Sequence, residues 1–463
     1  MGFKSQAFFA TKLRRFRFWW RLTLVYIKHY RLHVLVSAAI LSVLFYFIFK
    51  IYPTITQTNT LNIGFVGNYT IKTLPSEALK LATKTLINVD ETGKPIPSLA
   101  SHWTISPDGK TYIVFLKDNL KWHDNTTVSA KDISIAITDV EINALNNKAI
   151  EFKLPNPISS FLQALDTPVF KSNSFYGTNT YRIVGIDTVD AYVKKISLLP
   201  SLGSLPKVNI KFYPTQDQAL LAFKIGDIKV GSFTQAQEVE NWPNITVDKK
   251  IDDTQIVTVF FNNSDNLLSS KELRQALIYS VNRGELDGQI AHGPIAHTNW
   301  TYSNTVKKYE YNTGRAKELI SKSNYNGQDL ILSYIPSLKS VAEKIKSDWS
   351  AVGIKVQLVE ANQLPKGYQA FLTVNKLSPD PDQYSLWHSS QTKTNITFYK
   401  NVKIDKLLED ARATQDEKQR QDFYADFQRF LVEDAPVSFL YFPYKYELAY
   451  KNVKNLLNKL PKD

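Results

Sequence analysis

Between residues 97 and 137 the chain reads PSLASHWTISPDGKTYIVFLKDNLKWHDNTTVSAKDISIAI, and this stretch leaves few ways to fold. A short run at Trp103-Thr104-Ile105 meets Ser106-Pro107-Asp108-Gly109, which places proline second and glycine fourth, the chemistry of a type I turn. Thr111–Leu116 is β-branched and aromatic, too short for a typical helix, and predicts a buried strand. A second polar corner runs from Lys117 to Asp124. Ser129-Ala-Lys-Asp132 has the spacing of a capping box, and Ile133, Ala136, Ile137 and Val140 follow at helical spacing, so a helix is predicted there.

That order of parts resembles the family 5 extracellular solute-binding proteins, the peptide- and nickel-binding receptors of ABC importers. Pro97, Leu99, Ala100, Trp103, Asp108, Gly109, Tyr112, Phe115, Leu116, Lys117, His123, Asp124, Ser129, Ala130 and Asp132 fit the family pattern. Asn125 stands where the family usually has glycine, a change that a left-handed turn tolerates. A second mark is Ser378-Pro-Asp-Pro-Asp-Gln-Tyr-Ser-Leu-Trp-His-Ser389, similar to the family's Tyr-Pro-Asp-Pro-Asp segment ending in His-Ser. Leu273-Arg-Gln-Ala-Leu-Ile-Tyr-Ser-Val-Asn-Arg283 and Tyr311-Asn-Thr-Gly-Arg-Ala-Lys-Glu-Leu-Ile320 also fit, so the resemblance covers roughly residue 60 to the end.

The net charge of +13 invites a nucleic-acid reading, but its placement argues against one. Eight basic residues precede residue 32 and the first acidic residue is Glu77, which leaves +5 over the remaining 432 residues. No concentrated basic face that would track phosphates is left, and nucleic acid is not an expected partner. Residues 34–52 are apolar apart from Ser37, Ser42 and Lys50. At ~1.5 Å per residue such a helix is about 28 Å long, close to the hydrocarbon thickness. The basic excess lies wholly before it, so the positive-inside rule predicts a cytoplasmic N-terminus and a single-pass anchor in the cell membrane. Residues 45–53 offer no small-residue cleavage site, which disfavours a signal peptide. The absence of cysteine excludes a disulfide framework, thiolate metal sites and a lipid-modified N-terminal cysteine.

The expected fold class is α/β, two-lobed and periplasmic-binding-protein-like (class II, cluster C), with a reduced accessory subdomain and one preceding transmembrane helix. Its expected parts are a basic cytoplasmic segment (1–31), the anchor (32–52) and a polar linker (53–60). A first lobe (61–256) follows, with the accessory subdomain at about 73–167, then a second lobe (257–437) and a C-terminal return to the first (438–463). Ser269-Ser-Lys-Glu272 reads as another capping box, with Leu273, Ala276, Leu277, Ser280 and Val281 on one helical face. Val341, Ile345, Trp349 and Val352 form a helix stripe closed by Gly353, before a strand with Ile354, Val356 and Leu358. Residues 416–434 predict an amphipathic helix with Phe423, Phe427, Phe430 and Leu431 inward, and 437–450 supply closing strands.

The resemblance implies capture of an oligopeptide or similar small solute, extracytoplasmically and between two hinged lobes, for an ABC permease. Ligand contacts implied on that pattern are Thr373, Asn375, Leu377, Asp380, Asp382 and Trp387, with Asn262 and Arg274 from the start of the second lobe. In peptide-binding members an aspartate three residues before the Asp-Pro pair receives the ligand's α-ammonium; here that position is Leu377, which removes a charge-assisted partner. For Arg274 a helix-surface ion pair is the commoner use of such a residue. Asp380 and Asp382 flank a proline and suit a turn better than a glycosidase pair. His292 and His297 are separated by glycine and proline, unlike a helical zinc motif. No nucleophile elbow, P-loop or dinucleotide fingerprint occurs, so neither catalysis nor a cofactor is expected. A second reading keeps the fold in a ligand sensor or surface interaction protein that feeds no permease, because the basic N-terminal segment is longer than an anchor needs.

Overall fold

The computed structural model describes residues 28–31, 33, 36, 37, 39–43, 45, 46 and 59–461. Residues Met1–Thr60 and Leu61–Asp463 are separate compact units. Residues 28–46, where described, are helical except at Tyr30. Among the described residues no helix is long and apolar enough to cross a membrane. The expected basic segment lies outside the described residues up to 27, the linker up to 58, and the anchor at 32, 34, 35, 38, 44 and 47–52.

From Thr60 onward the chain is a mixed α/β structure built on one twelve-stranded sheet, a four-stranded sheet and a two-stranded one. Three hydrophobic cores form on them. The first gathers Leu61, Tyr181, Ile196, Phe212, Phe223 and Leu448. A second and larger one gathers Phe260, Leu277, Trp349, Leu372, Phe427 and Leu440. The third, with Leu99, Tyr112, Trp122, Phe152 and Phe161, sits on the four-stranded sheet and is inserted into the first. First-core residues Ala78 and Ala82 precede the insertion and Tyr181 resumes after it.

The C-terminal strand Val437–Tyr450 joins the two large cores. Its first half pairs antiparallel with Gln255–Phe261, and its second half with both Ile245–Ile251 and Val230–Phe233. Fourteen residues at ~3.3 Å each make it about 46 Å long, enough to run through both. Closing strands were expected here; the structure forms one, because no glycine breaks the aromatic run and Pro443 leaves it extended. The other crossing lies beside it. Asp252 N donates to Pro443 O at 2.8 Å, and the Asp252 carboxylate caps the turn by accepting from Thr254 N at 3.3 Å and Thr254 Oγ1 at 2.6 Å.

In the second core, Asp329–Tyr334 is parallel to both its neighbours, Lys355–Glu360 and Ala370–Lys376. The helix Lys339–Ala351 makes the crossover, with Ile345 and Trp349 buried and Gly353 at φ +98° ending it, as its stripe predicts. The helix Glu417–Asp434 starts at the Asp416 cap and buries Phe427 and Leu431, with Phe423 and Phe430 partly covered.

Two local predictions fail for physical reasons. Ser129 does accept from Lys131 N, but only a 3-10 turn, Ala130–Asp132, follows it. Ile133, Ile135 and Ile137 then alternate with exposed Ser134, Ala136 and Thr138, and the isoleucines pack on the third core. A period of two fits these β-branched residues better than the helical spacing. The capping box at 269–272 shifts by one residue: Ser270 is the cap and accepts from Leu273 N, ahead of Lys271–Tyr279. The turn at Asn125, with φ 65°, is left-handed as expected.

Two outcomes follow. Trp349 is 1% exposed and donates its indole N–H to Leu277 O at 3.0 Å; Trp349→Ala is expected to lower unfolding stability by about 3–5 kcal/mol, read as a urea midpoint shift. His123 Nε2 donates to Asn179 O at 2.7 Å and Nδ1 accepts from Gly177 N at 3.1 Å, fastening the 177–179 segment. Burial holds this imidazole below its ordinary value, with Arg182 adding to that and the Asn179 carbonyl and Asp124 opposing it. The unfolded chain therefore takes up the proton first. This stability is present above the ordinary histidine value and lost as pH falls through the folded one. The thermal midpoint should drop from about pH 7.5 to about pH 5, and less steeply in His123→Gln.

Candidate functional site

In an open α/β sheet, solutes bind outside the carboxyl ends of parallel strands, where backbone groups and loop side chains converge. Two such ends face each other here. Val230–Phe233, parallel to Thr60–Val66, ends in the first core at Thr234, Gln235 and Gln237. Asp329–Tyr334 ends in the second at Ser337, Leu338, Ser340 and Val341. Between them is a cavity of about 440 Å³, floored by Gln255, Val257 and Tyr441 from the crossing strands and by Val374 of Ala370–Lys376.

The Ala370–Lys376 strand has a free edge in that cavity. It pairs with Asp329–Tyr334 only through Ala370, Phe371 and Leu372. Leu372 O then accepts from Ile335 N at 3.3 Å, and the neighbouring chain turns away into Pro336–Leu338. Residues 373–376 keep a strand partner on one side alone, Gln255–Phe261. An extended segment can pair with such an edge.

Charge in the cavity is fixed by local pairs. Lys344 Nζ lies 2.6 Å from Asp348 and 2.9 Å from Glu285. Burial opposes its charge, but those two bonds hold its ammonium above the ordinary lysine value, so it stays protonated. Tyr441 is pushed up to about 12 by burial and by the nearby Asp287 carboxylate, so its hydroxyl remains neutral.

A smaller cavity of about 220 Å³ opens beyond the same strand end. Leu377, Ser378, Pro379 and Asp380 form one wall and Asp90 to Gly93 of the inserted region the other. Leu377 N donates to Thr254 O at 2.8 Å, which ties this wall to the crossing turn. Asp380 is buried against the Arg420 guanidinium and accepts from Asp382 N at 2.8 Å. Burial pushes its carboxyl up, and the guanidinium and the amide offset part of that. Asp382 pairs with Arg412 Nε at 2.8 Å and accepts from Tyr384 N at 3.0 Å. The two carboxylates thus shape a turn, as their spacing around Pro381 suggests.

The structure therefore brings Leu377, Asp380 and Asp382 together and sets Thr373 and Asn375, both half-buried, on the strand leading to them. It places the other three apart, in structural positions. Trp387 is buried, donates to Gln383 Oε1 at 2.8 Å and packs on Phe260. Asn262 donates to Tyr368 O at 2.8 Å and caps a turn through Ser264. The Arg274 guanidinium is neither at a cleft nor in a surface ion pair. It donates to the carbonyls of Leu268, Ser269, Asp434 and Ala435, supplying donors that the end of a helix lacks.

Sequence reasoning missed Gln255, Tyr441, Ser340 and Lys344, which carry no motif. Arg420 had a readable signal: Arg420, Tyr424, Phe427 and Leu431 recur at helical spacing, and all four are buried.

Comparison with known proteins agrees with this architecture. The family model for bacterial extracellular solute-binding proteins, family 5 (middle), matches residues 94–140 and 134–397. The oligopeptide-binding protein AppA of Bacillus subtilis is 28% identical over 279 residues, 52% of this chain and about half (51%) of its own length. The probable D,D-dipeptide-binding periplasmic protein DdpA of Escherichia coli is 26% identical over 425 residues, 78% of this chain and 81% of that one. Among solved structures, the ABC transporter substrate-binding protein CtaP of Listeria monocytogenes superposes with a TM-score of 0.72 at 22% identity, over 85% of this chain and 94% of that one. The fold is thus the one these proteins share, and the chain belongs to the bacterial extracellular solute-binding proteins of family 5, which are binding proteins and not enzymes.

Proposed function

We propose that this chain is the membrane-anchored, extracytoplasmic receptor of an ABC importer, and that it captures an oligopeptide or a similar small solute by closing two lobes over it. The observation that carries the reading is the 440 Å³ cavity set between the two large cores against a strand edge with no partner. Main-chain pairing with that edge supplies affinity without reading side chains, which suits a ligand class rather than one compound. Hinging has a locus where the turn at Asp252 lies against Pro443, whose missing N–H removes one rung from the long strand. The lobes in this reading follow the expected division at 61–256, 257–437 and 438–463. Names of relatives favour peptides, and the apolar residues 34–52 after a basic segment favour an uncleaved anchor.

Native mass spectrometry of the full chain, released from detergent after incubation with a mixed peptide pool, tests the ligand class. A ladder of added masses matching peptides is expected. An unshifted mass would sink the peptide reading. Val374→Arg puts a long side chain into the cavity and should weaken binding of any peptide so found by about 2 kcal/mol or more, roughly thirtyfold, with a cooperative thermal transition as the check on folding. For the anchor, the full chain is expected to sediment with membranes through a high-salt wash, whereas a chain lacking residues 1–58 stays in the supernatant. Release of the full chain by salt alone would exclude a span.

A further inference from the structure

The inserted third core touches the second core at a set of polar points. Gln163 Nε2 donates to Asp380 Oδ2 at 3.3 Å and, within the inserted region, to Gly93 O at 2.7 Å. Ser160 Oγ donates to Asp382 Oδ2 at 3.3 Å. Ser159 N reaches Arg412 O at 2.8 Å, Trp300 N reaches Thr92 O at 3.0 Å, and Gln415 Nε2 reaches Tyr112 OH at 3.0 Å. Gly93, at φ +91°, lies so close to the second core that a Cβ there would stand 2.3 Å from Pro379 O and 2.9 Å from Asn299 Nδ2.

Voids surround this contact. Cavities of about 220, 420 and 380 Å³ all share Asp380 as a lining residue, and Gln163 lines the latter two. The amide oxygen of Gln163 is buried with no hydrogen-bond partner. A permanent core-to-core seam is apolar and close-packed; polar contacts among voids mark one that separates. The segment Ser378 to Asp382 also has two faces. One walls the 220 Å³ cavity together with Leu377 and Thr254, and the other holds Gln163 and Ser160.

The geometry points to a latch: residues 378–382 of the second core catch Gln163, Ser160 and Gly93 of the inserted core, and hold the closed arrangement at the end of the cleft away from the crossing strands. It rests on the two-lobe closure proposed above. The third core is continuous with the first at both its ends, so separating the large cores also pulls this catch apart. A solute seated against Leu377 and Pro379 presses on the segment that makes the catch, which links occupancy to closure. Arg420 and Arg412 keep the two carboxylates in place from behind and leave them as acceptors.

The chain has no cysteine, so Lys117→Cys on the third core and Lys317→Cys on the second give two unique sites for spin labels, both exposed. Pulsed dipolar distances are measured on the full chain in detergent without any added solute. The parent should show a resolvable short-distance population beside a longer one. Gln163→Ala combined with Ser160→Ala should reduce it roughly fivefold, the effect of losing about one net hydrogen bond. Gly93→Ala should reduce it further. Because Gly93→Ala also strains a left-handed backbone, the Gln163 and Ser160 pair decides, with its thermal midpoint near the parent's as a check on folding. An unchanged distance distribution in that pair overturns the latch. As no solute is present, that result leaves the peptide reading untouched, and a failed peptide screen leaves the latch untouched.

Discussion

Everything between Thr60 and the C-terminus depends on how two lengths of chain run side by side at Asp252 and Pro443. There a turn capped by its own aspartate meets a strand that lacks one backbone donor, and a single hydrogen bond, Asp252 N to Pro443 O, joins them. On either side the strands pair: seven residues of Ile245–Ile251 on one flank, and on the other the run to Val437, with one register shift between Val257 and Thr258. The sheet is broadly paired where each core is held and thin where the two cores meet. That contrast lets one sheet serve two bodies, and it sets the cavity beside the thin place.

Polar groups buried around this frame do structural work that a motif search assigns to ligands. Arg274 answers the carbonyls left over where the helix Glu417–Asp434 ends, an end enforced by Ala435 in the left-handed region at φ 53°. Arg283 does the same for the carbonyls of Ala291, Tyr309 and Phe439. Each guanidinium has five donors, more than the other side chains offer, so a buried arginine surrounded by carbonyls needs no carboxylate or ligand to account for it.

The sequence was legible where local chemistry acts alone. The turn at Ser106 to Gly109, the left-handed Asn125, the glycine that ends Lys339–Ala351 and the aspartate that starts Glu417–Asp434 each depend on one or two side chains. Residues 133–140 were misread because isoleucines at 133 and 137 fit a four-residue repeat as well as a two-residue one, and only packing on the third core separates the two. The candidate site was half legible for a related reason. Leu377, Asp380 and Asp382 sit within six residues and share a turn, whereas Gln255, Ser340 and Tyr441 meet only because strands far apart in sequence become neighbours. No spacing records that.

The long C-terminal strand has a consequence for how the chain is made. Both large cores include its side chains, Leu440 and Phe442 in one and Tyr446 and Leu448 in the other, so neither is complete until nearly all of the polypeptide has emerged. The inserted core draws all its buried members from Leu86 to Val169. Synthesis therefore delivers the members of one small core early and two unfinished sheets that wait for a common last strand. During that wait their unpaired edges are open to wrong partners, and a chain of this design has to be kept apart from its copies until residue 450 arrives.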